Sequence, residues 1–196
     1  QFRQIITQLV QSEIIKASGV KRFSNIFELN ENNIRYNIEK SNPKLKVIAV
    51  ERKFPNSVVF QITTRTPFIA LQTTNGEYAI IDRELKVLDV VQEVNDYYLT
   101  KIEGTAVEKK EIGEFVDLGW LSAIISESEN LSFVNARFAA FFREINYDNN
   151  PGNVNKISIK TNTGVVFNLI DNANLSFDLN AEYTLYSTLS RDRKYS

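Results

Sequence analysis

Two periods of apolar residues run through the chain. In "NENNIRYNIEKSNP" Ile34 and Ile38 sit one helical turn apart, Asn30 or Asn32 can cap the start, and Pro43 closes the segment. "SEIIKASGV" repeats the logic, with Ser12 as N-cap and Gly19 as C-terminal stop. The period then changes to two. "LKVIAVERKF" and "SVVFQITTR" are joined at Phe54-Pro55-Asn56, with Val58, Phe60 and Ile62 on one face and Gln61, Thr63 and Arg65 on the other. That is a half-buried antiparallel hairpin, and Pro67, which cannot donate to a ladder, ends it.

After Pro67, "FIALQT", "EYAIIDR", "KVLDVVQEV" and "YYLTKI" predict short strands, with Asn75-Gly76 as the strongest turn signal. "LGWLSAIISESENLSFVNARFAAFFREI" predicts two helices split near Asn130-Leu131-Ser132, with Ser132 capping the second. Leu118, Leu121 and Ile125 stripe the first; Val134, Phe138, Phe141 and Phe142 stripe the second. "REINYD", "KISIKT" and "GVVFNLI" return to strands around an Asn162-Thr163-Gly164 turn, and "LNAEYTLYSTLSR" is a last amphipathic helix carrying Leu185 and Leu189.

Composition narrows the chemistry. The formal net charge is −1, which gives no global pull toward nucleic acid or anionic lipid. The apolar runs are too short to span a membrane. The chain has no His and no Cys, which removes imidazole bases, thiol nucleophiles, disulfides and His/Cys zinc sites. Absent cysteine fits a setting outside the cytoplasm. With no Met, the sequence reads as a processed product or an excised fragment of a longer protein.

Candidate reactive groups each have a plainer reading. Ser18-Gly19-Val20-Lys21 matches S-x-x-K, yet its companion motifs are missing and it falls at a helix end. Glu127/Glu129 and Asp171/Asp178 are the spaced carboxylates a glycosidase would need, and nothing sets them apart from solvated acids. Asp148, Asn149 and Asn150 lack a calcium loop's closing Glu and read as a turn. "RDRK" at 191–194 reads as a solvated helix end, and Phe133, Phe138, Phe141 and Phe142 as core.

The order helix, helix, strand, turn, strand, Pro is that of a POTRA domain. Residues 12–71 and the segments after them resemble the extracytoplasmic part of the bacterial cell-division family FtsQ, called DivIB in Gram-positive bacteria. Ser24-Asn25-Ile26-Phe27, Arg52-Lys53-Phe54-Pro55 and Arg65-Thr66-Pro67-Phe68-Ile69-Ala70 stand at the family's motif positions. "EYAIIDRELKVLDVV", "LTKIEG" and the closing "LNAEYTLYSTL" follow the order of its β domain. Thr64 replaces the family's usual Glu, Leu85 an often-found Gly, and Thr100 a Pro.

The resemblance implies an α+β fold: a β-α-α-β-β POTRA domain over 1–67, its first strand abbreviated, then a mixed or antiparallel β domain over 68–196 with helices on one side. The family's final strand would begin around Tyr195 and is cut off. It implies a non-enzymatic divisome scaffold without catalytic residues, cofactor or metal, and without nucleic-acid partners. The scaffold is anchored by a single membrane helix upstream, with this part outside the plasma membrane. It binds FtsB/DivIC and FtsL and so helps control septal peptidoglycan synthesis. POTRA sheets offer an exposed edge that accepts a strand from another chain. Partner contacts are expected at the C-terminal edge and last helix, at Leu185, Tyr186, Leu189 and Tyr195. The alternative is a POTRA-bearing polypeptide-transport or envelope-assembly module, which would require tandem POTRA repeats; the second half does not repeat the first.

Overall fold

The computed structural model describes residues 11–21, 28–55, 57–95, 99–130 and 141–192. The chain divides into two compact units, Gln1–Thr66 and Pro67–Ser196.

In the first unit, residues 11–18 are helical (α1) and Gly19 ends the helix at φ 71°. Position 11 is already helical, so Ser12 lies inside the helix and is not its N-cap. Helix α2 spans Glu31–Ser41, and Asn30 caps it by accepting the Asn33 N–H at 3.1 Å. Strands β1 (Leu45–Lys53) and β2 (Ser57–Thr64) form an antiparallel hairpin whose Phe54-Pro55 peptide is cis. The core is small: Ile34, Ile38, Leu45, Val47 and Val50, with Ile14, Val20, Leu29, Val58, Phe60 and Ile62 packed around it. A bulge between Val47 and Ala49 skips Ile48, which lets Val47 and Val50 reach that core together although they are three residues apart. Among the described residues the sheet of this unit has two strands; the abbreviated first strand expected within residues 1–10 lies outside them.

The second unit is built on one seven-stranded mixed sheet. Its strands are β3 (Ile69–Thr73), β4 (Tyr78–Ile81), β5 (Val87–Val91), β6 (Thr100–Val107), β7 (Phe142–Tyr147), β8 (Ile157–Thr161) and β9 (Val166–Leu169), in the order β5-β4-β3-β6-β7-β8-β9. Two antiparallel meanders flank β6, which runs parallel to both β3 and β7. A parallel pair needs a crossover, and helix α3 (Gly119–Asn130) lies in the connection from β6 to β7. The helix stripe of Leu118, Leu121 and Ile125 packs into the core as its spacing predicts. Helix α4 (Leu175–Asp192) starts one turn earlier than "LNAEYTLYSTLSR" suggests, because Leu175 as well as Leu179 is buried. Trp120, Leu121, Ile124 and Ile125 of α3, with Leu175 and Leu179 of α4, share one core with the alternate strand residues Ile69, Leu71, Ile157, Ile159, Phe167 and Leu169, so both helices cover the same sheet face. The chain is thus α+β.

The second predicted helix is corrected at its end. Phe141 is helical, but Phe142 opens β7 and is fully buried in the sheet core. Ser132, Phe133, Val134 and Phe138 lie outside the described residues. Thr100, where the family has Pro, is buried and donates its hydroxyl to the Phe142 carbonyl at 2.6 Å, joining β6 to β7.

Candidate functional site

The two edges of the seven-stranded sheet differ. On β5, Val87 exchanges hydrogen bonds with the Glu114 carbonyl and the Gly113 N–H, both at 2.8 Å, so residues 113–116 cover the start of that edge. On β9 no strand or loop plays this part among the described residues. Thr161 donates its N–H to the Val165 carbonyl, so in an antiparallel ladder residues 165, 167 and 169 bond inward. The backbone groups of Val166 and Asn168 therefore point outward, away from β8.

Helix α4 walls the space beside this edge. Val165, Val166 and Phe167 on one side and Glu182, Leu185, Tyr186 and Leu189 on the other enclose a groove of about 290 Å³. Leu185 and Leu189 are 57% and 56% exposed, because the helix uses Leu175 and Leu179 for the core. Tyr186 is half-buried: its ring meets Phe141 and Phe167 edge-on at 5.2 and 6.1 Å, and its hydroxyl lies 3.2 Å from that of Thr163. The groove thus pairs unsatisfied backbone groups with exposed leucines, the two things an added strand requires. Three of the four residues anticipated from the sequence, Leu185, Tyr186 and Leu189, come together here; Tyr195 lies outside the described residues. Val165, Val166 and Glu182 were missed, since nothing in a local pattern says which strand ends a sheet.

The sheet edge of the first unit departs from the expected open state at β1. Glu39 accepts the Val47 N–H at 3.0 Å, Arg35 donates to the carbonyls of Val47 and Ile48, and Arg65 donates to the Leu45 carbonyl at 3.2 Å and pairs with Glu39 at 3.0 Å. Side chains thus occupy backbone groups that a docking strand would need.

The other candidates take structural roles. Ser18 is buried, donating to the Ile15 carbonyl at 2.7 Å and accepting from the Val20 N–H at 3.2 Å. Asp171 accepts from the Tyr147 hydroxyl at 2.7 Å, and this bond raises the tyrosine's pKa, with burial adding to it. Asp148 accepts from the Asn150 N–H and from Asn153, while Asn149 donates to the Gly104 carbonyl, which makes a laced turn. Among the described residues no group of three or more His, Cys, Asp or Glu could hold a metal ion, and no helix is long and apolar enough to cross a membrane.

Residues 5–65 match the family described as POTRA domain, FtsQ-type. The chain is 32% identical over 104 residues to the cell division protein DivIB of Clostridium tetani, covering 53% of this chain and 38% of that protein. It is 27% identical over 107 residues to the DivIB of Clostridium acetobutylicum, covering 54% of this chain and 42% of that protein. The matched stretch therefore spans well under half the length of these relatives. The N-terminal unit is a POTRA domain of the FtsQ type, and the chain is related to the DivIB cell division proteins, as the motifs at 24–27, 52–55 and 65–70 suggest.

Proposed function

We propose that the chain is a non-enzymatic docking part of the bacterial division machinery, with two domains, 1–67 and 68–196. It works outside the plasma membrane, tethered by a membrane helix elsewhere in the full protein. Its β9 edge and α4 receive a strand from a partner of the FtsB/DivIC or FtsL type, and this contact helps control septal peptidoglycan synthesis. The observation that carries this reading is the outward backbone of Val166 and Asn168 beside exposed Leu185 and Leu189. A docking device of this kind needs no nucleophile or base. The seven-stranded second unit is no repeat of the first, which disfavours a polypeptide-transport module of tandem POTRA domains.

Calorimetric titration against the ectodomains of FtsB/DivIC-type and FtsL-type proteins tests the proposal. Binding by the chain, abolished by Val166→Pro, supports it. Proline at 166 removes an outward N–H and leaves the ladder to β8 intact. Binding that survives Val166→Pro and Leu185→Asp would place the partner elsewhere.

A further inference from the structure

Helix α4 runs antiparallel to β9, so the groove has two chemically different ends. Leu189 and Tyr186 lie by Val165–Phe167, whereas Asp178 and Ala181 lie by Asn168–Ile170, and Glu182 and Leu185 line both halves. Asp178 and Glu182 are thus half-buried carboxylates one turn apart on the face of α4 that looks toward the open edge. Among the described residues, neither side chain makes a hydrogen bond or ion pair. Like charges four residues apart disfavour a helix. Asp178, in the first turn, has a local reason in the helix dipole. Glu182, a turn further in, has none, and its half-buried carboxylate beside Leu185 is placed to meet a cation supplied from outside. Lys160 of β8 lies on the other face of the sheet and is engaged with Glu144 at 3.1 Å.

We propose that the segment received by this groove is an extended strand carrying Lys or Arg two positions from an apolar residue. The cation meets Glu182 and Asp178, and the apolar side chain rests on Leu185 and Leu189. Same-face residues of a strand are about 6.6–6.8 Å apart, and Glu182 lies five positions from the midpoint of Leu185 and Leu189, a rise of about 7.5 Å along α4. This inference rests on the docking reading above and adds the chemistry of the occupant.

The test uses three synthetic ten-residue peptides of alternating Thr and Val, identical except for one position two residues from a Val, which is Lys, Gln or Glu. Binding to the whole chain is read by fluorescence anisotropy at low and high salt. The Lys peptide is expected to bind about tenfold tighter than the Glu peptide, the swing between an attractive and a repulsive half-exposed pair, and salt should narrow the gap. Glu182→Gln should erase the preference and Glu182→Lys invert it; the milder variant keeps the test readable if the reversal unfolds the chain. Equal binding by all three peptides, lost in Val166→Pro, overturns the charge assignment and leaves strand docking standing. Binding by none overturns the inference as well, and the titration with partner ectodomains then decides the docking reading separately.

Discussion

Val166 of β9 and Leu185 of α4 line opposite walls of one open groove, the first with its backbone outward and the second 57% exposed. Neither is held there by the core. Leu185→Asp should therefore cost only about 1 kcal/mol of unfolding stability, from lower helix propensity and repulsion by Glu182, while removing partner binding. Leu179→Ala, six residues earlier and fully buried, should cost about 2–5 kcal/mol. Urea denaturation of the two variants checks the contrast.

Leu85 has φ 61° and is buried in the core. The family often has Gly here, and the backbone keeps the left-handed conformation that Gly suits, at a strain of about 1–2 kcal/mol for a residue with a Cβ. Two losses then separate by substitution. Leu85→Ala loses the side chain and keeps the strain, whereas Leu85→Gly loses the side chain and relieves it. The glycine variant should be at least as stable as the alanine variant, reversing the usual order, with both below the natural chain in thermal unfolding. An alanine variant clearly more stable than the glycine one would contradict a left-handed residue 85.

The sequence offered two caps for α2, and the structure uses Asn30. Asn30→Ala should cost about 1 kcal/mol, Asn30→Ser should retain most of the stability, and Asn32→Ala should shift it by less than about 0.5 kcal/mol. Chemical denaturation of the POTRA unit within the whole chain reads the difference.

The Asp148 carboxyl is held below its ordinary pKa, chiefly by the hydrogen bond from Asn153, then by the Asn150 N–H and the charge of Lys156, with burial opposing. A carboxyl with a depressed folded pKa contributes stability above its unfolded pKa, and that contribution disappears as pH falls through the folded one. Asn153→Ala should move the Asp148 titration, followed by carboxyl carbon NMR, toward higher pH. An unchanged midpoint would mean that the turn is not laced as described.

Much of this fold could be read locally. Ile34 and Ile38, the Asn75-Gly76 turn and the Asn162-Thr163-Gly164 turn each carry their own signal, and each element lies where that signal puts it. The misreadings have separate causes. In β7 the register slips between Phe142 and Glu144, which buries Phe142 and Ile145 three residues apart and imitates a helical period. The bulge at Ile48 does the same to Val47 and Val50, in a segment whose β-rich composition still marks it as a strand. Ser12 failed as a cap because a capping residue type cannot show that a helix is already running before it. The docking groove was half legible: Leu185 and Leu189 stand out on α4. That β9 ends the sheet, and that Glu182 faces it, depends on strand order, which no local pattern contains.

Amide hydrogen exchange, measured residue by residue along β9 with and without an FtsB/DivIC-type ectodomain, tests strand addition most directly. The partner should slow exchange at Val166 and Asn168, whose N–H groups point outward, and leave Phe167 and Leu169, already bonded to β8, nearly unchanged. Tight binding with no slowing at Val166 and Asn168 would contradict docking by strand addition at this edge.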